Sequence, residues 1–177
     1  MFQQPRLLLW RSARDNAALG LELKGVAREE RHRVAQRYLA MVGLAGFESY
    51  FPGQLSGGMQ QRVALSRALA VSPSVLLMDE PFASLDAQTK ETLQTELLRI
   101  HAEARTTALF VTHDLDEAVY LADRVIVLRA RPGTVSEVIE VPIARPRRDP
   151  IAVKRAPEFV ATRARLAEAL VAATSSR

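Results

Sequence analysis

Val75-Leu76-Leu77-Met78-Asp79-Glu80-Pro81 is a short apolar run that ends in two adjacent carboxylates and a proline. Four apolar residues with no polar interruption predict a strand buried on both faces, as in a parallel sheet. The proline ends the strand, so Asp79 and Glu80 fall at its carboxyl end. Ligands of open parallel sheets collect at that edge. An aspartate there can hold Mg²⁺ through water, and the next glutamate can orient or activate a hydrolytic water. Taken alone, Asp79-Glu80-Pro81 is more commonly an exposed acid pair at a strand end, so the flanking sequence has to decide.

Downstream, the periodicity alternates. Thr89 to Ala104 carries Leu93, Leu97 and Ile100 on one helical stripe, Ala108 to Thr112 reads as a strand, a helix follows Asp114, and Arg124 to Leu128 reads as a strand. Strand and helix in alternation imply an α/β fold with a parallel sheet. Pro132-Gly133 makes a turn into a weaker β stretch, Thr134 to Val141. Pro142 to Pro150 reads as a linker, and Pro157 to Ala173, with Phe159, Leu166 and Leu170 aligned, as a closing helix. Upstream the chain reads as helical. Ser56 is a good N-cap for a helix carrying Met59, Val63, Ala64 and Ala68 that Pro73 ends. Phe51-Pro52-Gly53 is a link, and before it Arg28 to Val42 places Val34, Tyr38, Leu39 and Met41 or Val42 on one side, with Gly43 as the stop.

Composition narrows the chemistry. The 177 residues suit one compact unit, and 48% hydrophobic with 25% charged residues is the balance of a chain that builds a core. No apolar run is long enough to cross a bilayer, and residues 1–14 lack the order of a secretion signal, so we expect a soluble, cytoplasmic location. The absence of cysteine excludes disulfides, thiol catalysis and cysteine-ligated zinc, and His32, His101 and His113 have no metal-ligand spacing. Any metal would rest on carboxylates, hydroxyls and phosphates. From Arg145 onward eight bases face three acids, whereas the net charge of the whole chain is +4. With Phe159 as the one aromatic among them, these bases read as a solvated face rather than a nucleic-acid surface.

Three further segments carry chemistry. Leu55-Ser56-Gly57-Gly58-Met59 opens a helix with glycines whose missing Cβ atoms let an anion approach the free amides at the positive end of the helix dipole. Read in isolation it is also simply a capped helix. Ser84-Leu85-Asp86 is a tight connection after the carboxylate pair. Thr112-His113-Asp114 ends the next strand, where a histidine can reach a phosphate at the same sheet edge as Glu80. His32 and His101 lie in charged helical surfaces and read as surface residues.

In this order the segments resemble the nucleotide-binding subunits of ABC transporters, over almost the whole chain. Phe2-Gln3 resembles the glutamine loop, Leu55 to Met59 the signature motif, Val75 to Glu80 the Walker B strand, Ser84 to Asp86 the D-loop and His113 the switch histidine. The resemblance implies the carboxyl-terminal part of a P-loop NTPase (RecA-like) α/β core with the ABC helical subdomain. Residues 1–141 would be the ABC domain, with the helical subdomain about 5–72 and the core about 73–141, and 142–177 a basic linker and C-terminal helix. It further implies ATP and Mg²⁺ as cofactors. Glu80 would be the catalytic carboxylate and His113 the grip on the γ-phosphate. Gln3 and Asp79 would serve Mg²⁺, partly through water, Ser56, Gly57, Gly58 and Met59 a γ-phosphate held mainly by the partner subunit, and Asp86 communication across the dimer. Implied partners are a second copy or second ABC subunit, a transmembrane permease and, indirectly, a periplasmic solute-binding protein, with no nucleic acid. The subunit would sit on the cytoplasmic face of the inner membrane.

Met59, where glutamine is commoner, together with Pro5 to Trp10, Asp79 to Ala87 and Thr112 to Leu128, resembles the nitrate, sulfonate and taurine importers. Leu9, where that branch often has proline, departs from the pattern. So does the lack of a P-loop. The lysines Lys24, Lys90 and Lys154 none of them follow a glycine, so no Gly-Lys-Ser or Gly-Lys-Thr is present. The expectation is therefore the carboxyl-terminal part of a longer subunit. Two alternatives stand beside an importer ATPase: a truncated non-catalytic fragment that dimerises with an intact subunit, and a non-transport ABC ATPase.

Overall fold

The computed structural model describes residues 1, 4–83, 85–104, 107–130, 133–147 and 149–175. They form two compact units, Met1–Val111 and Thr112–Arg177.

In the first unit three helices, α1 (Ala13–Leu23), α2 (Arg28–Met41) and α3 (Gly57–Ala70), pack against one another. Ser12 caps α1: its hydroxyl accepts the Asp15 amide at 3.1 Å and donates to the Asp15 carboxylate at 2.7 Å. Gly43, with φ +71, stops α2 as expected, its amide donating to the Ala40 carbonyl. The seam is built from small residues, with Ala13, Ala17 and Ala18 of α1 and Ala35 of α2 all buried. Gly20 belongs to the same seam, since a Cβ there would stand 2.3 Å from Cγ1 of Val71. Buried Asn16 joins α1 to the segment before it. Its Oδ1 accepts the Leu8 amide at 2.8 Å, and its Nδ2 donates to the carbonyls of Leu8, Arg11 and Ser12.

β1 (Val75–Asp79) and β2 (Thr107–Val111) are parallel, with Val75 opposite Thr107 and Asp79 opposite Val111, and α4 (Ala87–Ala104) connects them. Here the expectation of burial on both faces is corrected. Leu76 and Met78 are buried, while Val75 and Leu77 are 55% and 57% exposed, as are Leu109 and Val111 across the ladder at 55% and 51%. Among the described residues only one face of this two-stranded sheet is covered, and the Phe82 and Phe110 rings meet beside it at 5.6 Å. On the edge of β1 away from β2, Met1 accepts the Asp79 amide at 3.1 Å and donates its amino group to the Leu77 carbonyl.

The second unit contains α5 (Leu115–Leu121), β3 (Arg124–Arg129), β4 (Thr134–Glu140), α6 (Pro150–Arg155) and α7 (Pro157–Ser175). β3 and β4 form an antiparallel hairpin with an irregularity at Val127/Leu128, so the strand at 124–128 pairs with its sequence neighbour. α7 packs on α5, α6 and the hairpin. Phe159, Thr162, Leu166, Ala169 and Ala173 form its buried stripe, so Phe159 and Leu166 face inward as expected, whereas Leu170 is 37% exposed. Ala169 and Ala173 continue the stripe where Leu170 was expected. α6 lies in and beyond the expected linker, capped by Asp149, whose Oδ1 accepts the amides of Ile151 and Ala152, with Pro150 at its first turn. Among the described residues no helix is long and apolar enough to cross a membrane.

Candidate functional site

Ser56 is the N-cap of α3, as its sequence predicts. In extended conformation, its hydroxyl accepts the Met59 amide at 3.2 Å. Ser56 and Gly57 are exposed, and nothing lies within 4 Å of a Cβ built on Gly57, so this helix end is open to an approaching group. The body of α3 is fixed by its own side chains. Gln60 donates to the carbonyls of Pro52 and Leu55, Arg62 to that of Val42, and Ser66 to that of Tyr38. Arg67 reaches the carbonyls of Pro5 and Arg6 at 2.7 and 2.9 Å, and burial lowers its pKa. Fourteen residues of helix thus aim their amide dipoles at Ser56 and Gly57 from a rigid base.

The carboxylate pair stands where the sequence places it. Asp79, the last residue of β1, is exposed; Glu80 follows in the left-handed region at φ +44, its amide donating to the Val111 carbonyl at 2.9 Å. For a residue with a Cβ that conformation is strained, and such strain concentrates at functional sites. The chain then turns through buried Pro81 and Phe82. Asp86, exposed, accepts the Thr89 amide at 3.0 Å at the start of α4, and this backbone hydrogen bond is the chief reason its carboxyl lies below the ordinary range. Asp79, Glu80 and Asp86 therefore belong to one short connection, while Ser56 to Met59 stand at the end of another helix.

His113 is exposed and lies in the second unit, just before Asp114 caps α5 with hydrogen bonds from the amides of Asp116 and Glu117. Gln3 and Ser84 fall outside the described residues. His32 is not a bare surface group: its Nε2 lies 3.0 Å from Oδ1 of Asp15, in an open polar cleft also lined by Arg11, Glu22, Arg28 and Arg31. The charges in that cleft largely answer one another, Arg11 pairing with Glu22. Among the described residues no cluster of three or more histidine and carboxylate groups could by itself enclose a metal. One exposed aspartate at a strand end nevertheless suits Mg²⁺, which keeps most of its water and binds through one or two carboxylates together with substrate phosphates.

Sequence reasoning missed the supports. Asn16, Arg67, Arg147 and Glu117 are polar residues of ordinary helices and loops, and their burial depends on tertiary packing. For Arg147 this corrects the solvated reading of the basic segment: its side chain is fully buried and donates to the carbonyls of Tyr120 and Ala122 at 2.8 Å, and to that of Ile143 at 2.8 Å.

The chain is similar to known proteins in sequence and in fold. Residues 1–83 match the family model described as ABC transporter. The chain is 55% identical over 147 residues to an uncharacterized ABC transporter ATP-binding protein, MJ0412, of Methanocaldococcus jannaschii, covering 83% of this chain and 55% of that protein. It is 51% identical over 150 residues to the nitrate import ATP-binding protein NrtD of Synechococcus elongatus, again covering 83% and 55%. The chain thus spans about half the length of these relatives. Among solved structures it superposes on the dimeric ATP-binding cassette MJ0796, in a post-hydrolysis state bound to ADP and Pi, with a TM-score of 0.73 and 36% identity over 79% of this chain and 62% of that one. The fold is the α/β fold of ABC ATPase cassettes, as the resemblance implied.

Proposed function

We propose that this chain acts as an ATP-binding subunit of an ABC importer, coupling binding and hydrolysis of ATP to uptake of a small anion such as nitrate, sulfonate or taurine. The observation that carries this reading is Glu80, held in a strained conformation next to Asp79 at the carboxyl end of a parallel strand. The similarity to a nitrate import protein supports the branch.

In this reading Glu80 orients the attacking water and accepts its proton, while the exposed Asp79 carboxylate holds Mg²⁺ through water. Mg²⁺ neutralises charge on the phosphate oxygens when bound. Ser56, Gly57, Gly58 and Met59 present the α3 amides to the γ-phosphate of a nucleotide carried mainly by a partner subunit. His113 grips a γ-phosphate, Gln3 serves the metal and senses the permease, and Asp86 contacts the partner across the dimer. We assign the helical subdomain to about 5–72, the core to about 73–141 and an appended basic segment to 142–177. Partners are a second ABC subunit, a permease and a solute-binding protein on the far side of the membrane, and the chain works at the cytoplasmic membrane face.

The open N-terminal end of α3 favours a second reading: the chain dimerises with an intact subunit and contributes its signature helix to that subunit's site, without hydrolysing ATP alone. One experiment tests both. The chain is mixed with an intact relative in Mg·ATP, and association and ATPase rate are followed. Mg·ATP-dependent association that Gly57→Arg abolishes supports the shared site. A fall in rate as the chain is added favours the non-catalytic reading, and hydrolysis by the chain alone that Glu80→Gln abolishes favours the first. Absence of association and of any rate change at every mixing ratio would sink both.

A further inference from the structure

The backbone on both sides of His113 is tied to one buried carboxylate. The Thr112 hydroxyl donates to Oε2 of Glu117 at 2.6 Å and accepts the Asp114 amide at 3.0 Å, so a single oxygen bridges across His113. Asp114 in turn accepts the amides of Asp116 and Glu117 at 2.9 and 3.1 Å, which closes the loop onto the first turn of α5. Glu117 is 4% exposed, beside buried Val119, Tyr120 and Leu121 on the same short helix. Burying a carboxylate is costly unless strong hydrogen bonds hold it, and an apolar side chain would fill the space at lower cost. What an apolar residue could not do is receive the Thr112 hydroxyl. The short O–H···O⁻ contact is of the charge-assisted kind, the strongest an uncharged hydroxyl makes.

We infer that Glu117 and Thr112 are a positioning pair that fixes the backbone from which His113 projects. The role of the pair in nucleotide engagement rests on the reading of His113 as a phosphate-contacting group. Neither residue touches the nucleotide; Glu117 acts through Thr112, and Thr112 through the two peptide units flanking the exposed imidazole. A histidine on a loose loop would lose rotational freedom each time it engaged a phosphate, and this network removes that freedom beforehand.

The test uses the full chain. With only His32, His101 and His113 present, the three imidazoles are resolved by heteronuclear NMR and assigned by single His→Gln variants. Thr112→Val keeps the shape and removes the hydroxyl, Thr112→Ser keeps the hydroxyl, Glu117→Gln keeps an acceptor and Glu117→Leu removes it. The expected result is that Thr112→Val and Glu117→Leu shift the His113 ring and amide signals and raise the mobility of that amide, leaving His32 and His101 unmoved, while Thr112→Ser and Glu117→Gln stay near wild type. Mg·ATP-dependent association with an intact relative should weaken about tenfold in Thr112→Val and recover in Thr112→Ser. Unmoved His113 signals in a folded Thr112→Val chain overturn the proposal, and that variant decides alone if Glu117→Leu does not fold. His113→Ala separates the two claims. If it leaves association unchanged while Thr112→Val still shifts the ring, the phosphate reading of His113 fails and the positioning pair stands.

Discussion

The amide of Glu80 donates to the carbonyl of Val111 at 2.9 Å, joining the last residue of β2 to the residue just past the end of β1. Beyond this bond Glu80 takes φ +44, a left-handed backbone that residues with a Cβ rarely adopt. The outcome for function is that adjacent residues Asp79 and Glu80 do not simply alternate across the strand. The left-handed step changes the direction of the chain between them and into buried Pro81 and Phe82. A left-handed non-glycine residue costs roughly 1–2 kcal/mol.

That cost predicts an unusual order of stabilities at this position. Glu80→Gly relieves the strain, whereas Glu80→Ala keeps it, so the glycine variant should be the more stable by about 1 kcal/mol despite glycine's greater unfolded-state entropy. Urea denaturation of the two variants measures the difference. Equal stabilities, or a more stable alanine variant, would mean that the strain is absent in solution.

How much of this was legible in the sequence follows the range of the interactions. The cap at Ser56, the stop at Gly43 and the strand ending at Asp79 depend on neighbouring residues and could be read directly. The exposure of Val75 and Leu77 could not, because a continuous apolar run gives the strand but not what covers its faces. The hairpin of β3 and β4 was signalled by Pro132-Gly133, yet the strand-helix alternation before it outweighed that signal in assigning the strand at 124–128. Asp149-Pro150 was the cap and first turn of a helix, hidden because the surrounding Pro/Arg composition reads as a linker. Of the site, the chemistry-bearing residues were legible by type and order. The residues that hold them were not, since nothing local distinguishes Glu117 or Arg147 from the exposed charges around them.

Gly20 gives a second prediction. In a helix interior, replacing glycine by alanine usually gains about 1 kcal/mol. Here the new Cβ would fall 2.3 Å from Cγ1 of Val71, and overpacking of this kind costs roughly 1–3 kcal/mol. Gly20→Ala should therefore destabilise the first unit, and the added substitution Val71→Ala should restore it. Thermal melts of the two single variants and the double variant check the coupling; additive effects would show that α1 and the end of α3 do not approach as closely as 2.3 Å implies.

Acid stability should depend on Asp15. Burial alone would raise its pKa, but the Ser12 hydroxyl, neighbouring His32 and Arg14, and the hydrogen bond to His32 together carry it below the ordinary value. A carboxyl lowered by folding contributes stability that is complete above its unfolded pKa, about 3.9, and is lost as pH falls through the folded value. Wild-type stability should drop on acidification below roughly pH 4, and Asp15→Asn should be less stable near neutrality with a flatter acid limb. Because the group is partly exposed, the effect is modest and shrinks with added salt. Urea midpoints across that pH range, at low and high salt, make the comparison; parallel curves for the two proteins would contradict the assignment.

Arg147 is the residue whose loss should matter most to the second unit. Its guanidinium is fully buried and is shared among the carbonyls of Tyr120 and Ala122, where α5 ends, and of Ile143, with Asp123 3.8 Å away. Burial, with Arg145 nearby, lowers its pKa, but an arginine remains charged throughout the working range, so its contribution does not titrate. Arg147→Met fills similar volume and leaves several buried carbonyls without donors, each worth roughly 1–3 kcal/mol. A loss of about 3 kcal/mol, or roughly 6–12 °C in melting temperature for a chain of this size, is expected. Arg147→Lys should not recover it, because one ammonium cannot match the planar fork that reaches both α5 and Ile143. The variants also bear on the site, since α5 is held by Arg147 at one end and carries Glu117 and the Asp114 cap at the other. Amide exchange should show the protection lost in Arg147→Met spreading along α5 from Tyr120 toward Leu115; a melting temperature within about 2 °C of wild type would show that water takes over the guanidinium's hydrogen bonds.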